Sequence, residues 1–284
     1  MVKTKLSFLD KLNMFVSIYG QLFISIFRFS WWSPFFIYAI FQTIGFLALL
    51  WYYAPILSST VYPIISLFLP PNAFHYPQYY LALPSLYATY ESLILGITVW
   101  IVLAAAAVYR FSGIYNGKVP ALRDSIRLAM RSYLPLLLVW LLETVLVIII
   151  LYLPSHLLKN MIADSPNRAA LADVVFETIG LGVTAMLIYA VPGIILDGKK
   201  VWQAIQDSIG LFMRNFIFTY SIVFFPSFLR IIMNLLLTSY APKIITILNP
   251  ELIPTIMFIY IFAGIFINLF IYGAAVFAYK RMAD

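Results

Sequence analysis

The chain has 284 residues, of which 63% are hydrophobic and only 10% charged, with a net charge of +7. A soluble domain of this length would carry far more polar surface, so the composition excludes one and points to an integral membrane protein. The absence of cysteine rules out disulfides, a thiolate nucleophile and a Cys-ligated metal site.

In chain order, residues 1–30 come first as an N-terminal amphipathic segment. Phe8, Leu12, Phe15, Tyr19, Leu22 and Ile26 form a helical stripe, with Lys11, Ser17, Gln21 and Arg28 elsewhere around the turn. Asp10, Lys11 and Asn13 interrupt any apolar core here, so no signal peptide is expected. Six apolar stretches are each long enough for the roughly 20 residues that cross a bilayer core: about 31–54, 91–112, 132–154, 172–196, 215–239 and 254–279. They are continuous, as in "LPLLLVWLLETVLVIIILYL", whereas barrel strands alternate. The expected fold is therefore an all-α polytopic membrane bundle, a single domain over 1–284.

Residues 55–90 hold no Lys, Arg, Asp or Glu but include Pro55, Pro63, Pro70, Pro71, Pro77 and Pro84. This stretch is too apolar for a free loop and too broken by proline for a span, so it is expected to cover the outer helix ends. Glu91 opens the second span as an interfacial residue. After that span comes "GIYNGKVP" and then "DSIRLAMRSY", residues 124–133; after the fourth come "GIILDGKK" and then "DSIGLFMRNF", residues 207–216. The two phrases share Asp, Ser, Ile, Leu, Met and Arg at matched positions.

Each phrase reads as an amphipathic helix lying at the membrane surface. In the first, Val119, Leu122, Ile126, Met130 and Tyr133 make the apolar stripe beside a column of Arg123, Arg127 and Arg131. In the second, Val201, Ile205, Ile209, Phe212 and Phe216 form the stripe, with Lys200, Gln203, Asp207 and Arg214 outside it. Lys118, Arg123, Arg127, Arg131, Lys199, Lys200 and Arg214 are the expected contacts to anionic lipid headgroups. With the weaker copy in residues 1–30, the chain divides into unit one (31–112), unit two (113–196) and unit three (197–284), the signature of a duplicated unit.

Ionisable residues inside a span need a reason to be there. Glu143 in the third span and Arg230 in the fifth lie about 15 Å and about 13 Å from the outer ends of their spans at about 1.5 Å per residue. They are expected to pair, with Asn234 and Asn268 as further members of an intramembrane polar cluster. Glu177 lies nearer the outer surface. Fourteen Lys and Arg residues fall on the side of the termini and three on the other, so both termini are expected to be cytoplasmic in a multi-pass cell-membrane protein. His75 and His156 share no metal-ligand pattern. No motif of a zinc protease, a serine hydrolase or a phosphate-binding loop is present, so no catalytic residue, metal or cofactor is assigned and nucleic acid is not an expected partner.

A glycine ending an even span, a surface helix with a Ser-x-x-Leu step (Ser125 to Leu128, Ser208 to Leu211) and then a new span resembles the membrane domain attached to some glycerophosphodiester phosphodiesterases and its stand-alone relatives. The resemblance covers residues 90–280. It implies a six-span fold and no catalytic residues, because the hydrolase domain of those fusions has no counterpart here. The expected role is a non-enzymatic accessory or scaffold protein that binds lipids and partner membrane subunits or a second copy of itself. The alternative is a transporter or channel component using a polar site near Glu143 and Arg230.

Overall fold

The computed structural model describes residues 7–157 and 165–283, and all regular structure among them is helical. A capped helix α1 (Phe8–Ser25) leads into α2 (Phe29–Leu50), and a long α3 (Gln78–Tyr115) follows. A short α4 (Leu122–Arg131) precedes α5 (Tyr133–Leu157). Next come α6 (Pro166–Leu187) and α7 (Ala190–Asp197), which continue one another across a turn. The chain closes with α8 (Val201–Arg214), α9 (Phe216–Leu237) and α10 (Leu252–Ala283). Among the described residues six crossings are long and apolar enough to span a membrane: α2, α3, α5, α6 with α7, α9 and α10. The polytopic all-α bundle expected from composition is the fold.

The second crossing starts earlier than its hydropathy suggests, at Gln78 instead of residue 91. Pro84 lies inside this helix and the stretch Tyr90–Trp100 is wound as a π-helix. Proline in a helix interior costs about 3 kcal/mol, but Tyr79, Leu83 and Tyr87 recur at four-residue spacing and are all buried, which offsets it. Only the part before Gln78 behaves as a cover, with short helical turns at Pro55–Ser58, Val61–Ile65 and Pro71–Phe74. Its rings gather as Tyr52, Tyr62, Phe74 and Tyr79.

Helix α10 is the central stave, packed against α1, α2, α3 and α9. Ala274, Ala275 and Ala278 on it and Ala104 to Ala107 on α3 are buried, and such small residues let membrane helices approach closely. Leu22 of α1 lies over Gly273, where a side chain would collide with it. Helix α1 thus packs into the bundle through Met14, Ile18, Leu22 and Ser25, while Phe8 and Leu12 of the expected stripe face outward. Of the expected stripe, Tyr19 and Leu22 are buried and Phe15 and Ile26 pack against the core; only its first members, Phe8 and Leu12, are uncovered, because the bundle meets α1 from Met14 onward.

Two prolines expose carbonyls that side chains from elsewhere then satisfy. Pro34 has no N–H to give the carbonyl of Ser30 four residues back; Arg110 of α3 donates to that oxygen through Nε (3.1 Å) and Nη2, and through Nη1 to the Pro120 carbonyl (2.6 Å). Pro226 likewise orphans the carbonyl of Ile222, and the Tyr19 hydroxyl donates to it at 3.0 Å. Each proline-made gap becomes a tie between distant segments.

Gly117 (φ +75°) and Gly198 (φ +64°) turn the chain in the left-handed region before α4 and α8. The two surface helices sit on the bundle through small residues: Ser125 and Ala129 on α4, Ala204 and Ser208 on α8 with Ile205, Leu211 and Phe212. Ser125 donates to the Ala121 carbonyl and Ser208 to that of Met186. Val119 and Met130 of the first apolar stripe and Phe216 of the second are exposed, as are Trp202 and Met213. The small residues let the helix backbones approach the bundle closely; on α8 Ile205, Leu211 and Phe212 pack beside them, while Met130, Trp202 and Met213 point away.

Candidate functional site

A cavity of about 620 Å³ opens among α2, α3, α5, α6, α9 and α10, at the depth of the membrane crossings. Glu91, Glu143, Thr184, Arg230 and Asn268 stand on its walls, with aromatic rings of Tyr38, Trp100, Trp140, Tyr260 and Tyr272 around them. Three ionisable side chains around a space in an otherwise apolar bundle make this the site to examine chemically.

Glu143 and Arg230 therefore share a cavity, as expected, but they do not form the expected ion pair. The Glu143 carboxylate accepts a hydrogen bond from the Thr184 hydroxyl at 2.7 Å. Among the described residues no cation contacts it; the salt bridges found there join Lys199 to Asp197 and Asp207. The reason lies in packing. Helix α5 rests on α6, so the polar group nearest to Glu143 belongs to α6, whereas α9, which carries Arg230, faces α10 and α6. The Arg230 guanidinium donates through Nη2 to Asn268 at 3.4 Å and lies 5.9 Å from the centre of the Tyr260 ring, and its buried Nε has no acceptor.

Two acids are in electrostatic reach of Arg230, Glu177 and Glu91; Glu91 was placed at the span edge by hydropathy but is inside the bundle here. Because α3 begins thirteen residues before it, Glu91 sits within a continuous helix and turns inward, accepting from Gln42 of α2 at 2.7 Å. Asn234 leaves the expected cluster: it donates to Glu177 at 3.2 Å, and Ser239 to Asp173 at 2.7 Å, so a second polar ladder joins the first half of α6 to the end of α9.

The cavity has a side opening. Helices α3 and α5 touch at Gly96 and Trp140, where a side chain on the glycine would strike the indole, and Tyr133 donates to the Ile97 carbonyl at 2.9 Å. Outward of Trp140, α5 leans on α6, with Val147 beside Gly180. On this flank the cavity lining includes exposed residues of both helices, Ser92 and Leu93 on α3 and Ile148 on α5. The α5 crossing is the least buried of the six, at 11% of its apolar window.

The basic residues expected at headgroups divide. Lys118, Arg123, Arg127, Arg131 and Lys200 are exposed, and Arg214 lies at the exposed end of α8; Arg123, Arg127 and Arg131 flank an open groove on α4. Lys199 is instead drawn into the protein. Its ammonium contacts Asp197 (3.2 Å), Asp207 (3.0 Å) and the Tyr279 hydroxyl (3.0 Å), and that hydroxyl donates to Asp197. Burial pulls the Lys199 ammonium down, but the hydrogen bonds from Tyr279, Asp207 and Asp197 outweigh it and hold it above the ordinary lysine value. His75 is exposed, and the side chain of His156 lies outside the described residues. Among the described residues no group of His, Cys, Asp and Glu could hold a metal ion.

The fold and cavity define a polytopic helical membrane protein with an ionisable site at membrane depth. Compared with known protein families, curated proteins and solved structures, the chain matches none.

Proposed function

We propose that the protein is a membrane-embedded binding protein that admits a small polar or polar-headed ligand to the cavity, in the manner of a transporter component. The observation that carries this reading is the unspent polarity around about 620 Å³ of space. An ionisable residue at membrane depth costs about 2.5–3.5 kcal/mol on insertion scales, and a purely structural polar lock would have its groups fully paired. Here Glu143 has only a threonine donor, and Arg230, though it lies over the Tyr260 ring with acids in electrostatic reach, makes only a long hydrogen bond to Asn268 and leaves Nε idle. The orientation that goes with this reading puts the exposed Lys and Arg residues around α4 and α8, and both termini, in the cytoplasm.

The test is to purify the protein from native membrane and identify the small molecules and lipids it retains. Thr144→Trp and Ser92→Trp, which fill the cavity from two walls, are expected to lose them. Retention unchanged in both variants refutes the proposal.

A second reading, an accessory subunit, is favoured by one observation: Leu134, Leu138, Leu141, Val145, Ile148 and Ile149 of α5 are exposed along a helix that few neighbours cover. It requires a second protein, or a second copy of this one, against α5 after gentle solubilisation, and a solitary monomer counts against it.

A further inference from the structure

The geometry points to a membrane amphiphile as the ligand of this cavity, with a head that carries a primary ammonium for Glu143 and an oxygen acceptor for Arg230, entering sideways from the bilayer between α3 and α5. This inference rests on the proposed binding role and names the ligand's chemistry.

Charge comes first. The cavity walls carry one guanidinium and the carboxylates of Glu91 and Glu143. Glu91 already has Gln42 as a donor and Arg230 in electrostatic reach. Glu143 has Thr184 alone. A carboxylate held by one hydroxyl retains most of its accepting capacity, and its natural complement in a low-dielectric space is a cation that donates hydrogen bonds. The rings of Trp100, Trp140 and Tyr272 beside it suit an ammonium as well. Arg230, for its part, has donors to spare, with Nη2 engaged only at 3.4 Å and Nε unaccepted. One ligand that brings both an ammonium and an acceptor oxygen satisfies both walls at once.

Shape then selects the source. About 620 Å³ suits a headgroup and its linker. The flank beside Gly96 and Trp140 is edged by the exposed apolar Leu93 and Ile148 and the exposed Ser92, with Thr144 half-buried behind them. Apolar edges around a polar interior match a molecule whose tail stays in lipid while its head turns inward. Free water-soluble molecules gain nothing from that edge. Aminophospholipids, with an ammonium and a phosphate on one head, have the required chemistry.

The experiment uses the full-length protein, delipidated in detergent, with lipid binding read by native mass spectrometry. The probes are short-chain phosphatidylethanolamine, its N-acylated derivative, phosphatidylglycerol, and free glycerophosphoethanolamine as a competitor. Phosphatidylethanolamine is expected to bind at least about tenfold more tightly than the N-acylated or glycerol lipids, the value of one charge-assisted hydrogen bond. Glu143→Gln should collapse that preference to about twofold or less, and Glu143→Asp should keep most of it. The free headgroup should not compete at equal concentration.

Equal binding of phosphatidylethanolamine and its N-acylated form by the unaltered protein overturns the inference even if Glu143→Gln cannot be recovered folded. Competition by the free headgroup on equal terms overturns the lipid source. If Thr144→Trp abolishes binding but no headgroup is preferred, the cavity reading stands and this inference falls. If Thr144→Trp binds every probe as the unaltered protein does, both fall.

Discussion

Replacing Arg110 by alanine tests whether proline-made gaps are structural ties. The Arg110 side chain is 5% exposed and donates to the carbonyls of Ser30 and Pro120. Its loss takes the donor from the half-buried Pro120 carbonyl and leaves that of Ser30 with only the Ser33 hydroxyl at 3.4 Å, so Arg110→Ala should cost about 2–4 kcal/mol. Arg110→Lys puts one point of donation where a planar fork had spanned two acceptors, and should cost about half as much. Pro34→Ala returns the N–H that the Ser30 carbonyl lacks, so in that background the alanine substitution should cost about 1–3 kcal/mol less, a coupling that a double-mutant cycle isolates. Denaturing-detergent titration in mixed micelles reads these differences. Additive effects of Arg110→Ala and Pro34→Ala would refute the reasoning, because an independent contact has no cause to depend on a proline in α2.

The companion tie gives a second case: Tyr19→Phe strips the Ile222 carbonyl of its hydroxyl donor and should cost about 1–3 kcal/mol in the same titration, falling toward zero beside Pro226→Ala. Gly198→Ala meets open space but a φ of +64°, so only backbone strain opposes it, about 1–2 kcal/mol; a larger loss would mean that something unseen packs there. Lys199 has a raised pKa, so its stabilisation is complete below the ordinary lysine value near 10.4 and is lost only as pH rises through the elevated one. The difference in stability between the unaltered protein and Lys199→Met should therefore stay level from about pH 6 to 9, at about 1 kcal/mol given the partial exposure of its partners; a decline within that window contradicts the cluster. Because the chain has no cysteine, single labels are clean: Lys118→Cys and Lys200→Cys should react with an impermeant reagent from one face of the membrane, and Thr60→Cys and Asn249→Cys from the other.

The crossings were legible because lipid demands length and apolarity over a continuous run, and nothing in tertiary packing can hide that. Glu143 and Arg230 were legible for the converse reason, that a charge at such depth is conspicuous. Their partners were not. Thr184 carries no signal that it will lie beside Glu143, since that depends on which helix α5 leans against. Glu91 looked interfacial because hydropathy began the second span at its own position, when the helix starts at Gln78 through buried tyrosines and past Pro84. Lys199 looked like Lys118 by its place after a glycine turn, but Tyr279, eighty residues further on, holds it. Pro34 and Pro226 do announce orphaned carbonyls four residues back; that Arg110 and Tyr19 would fill them is settled only by the fold.

Met130 and Met213 occupy the same position of the doubled phrase, and both side chains are largely exposed, at 63% and 69%. With cysteine lacking, thioethers hold the only sulfur in the molecule, and these two are open to peroxide. Conversion to sulfoxide would set a polar, chiral group on the outward edge of both surface helices at once. The small-residue seat of each helix would be untouched while its affinity for a greasy neighbour fell, so oxidative damage in this protein would register first as a change in how it sits against its surroundings.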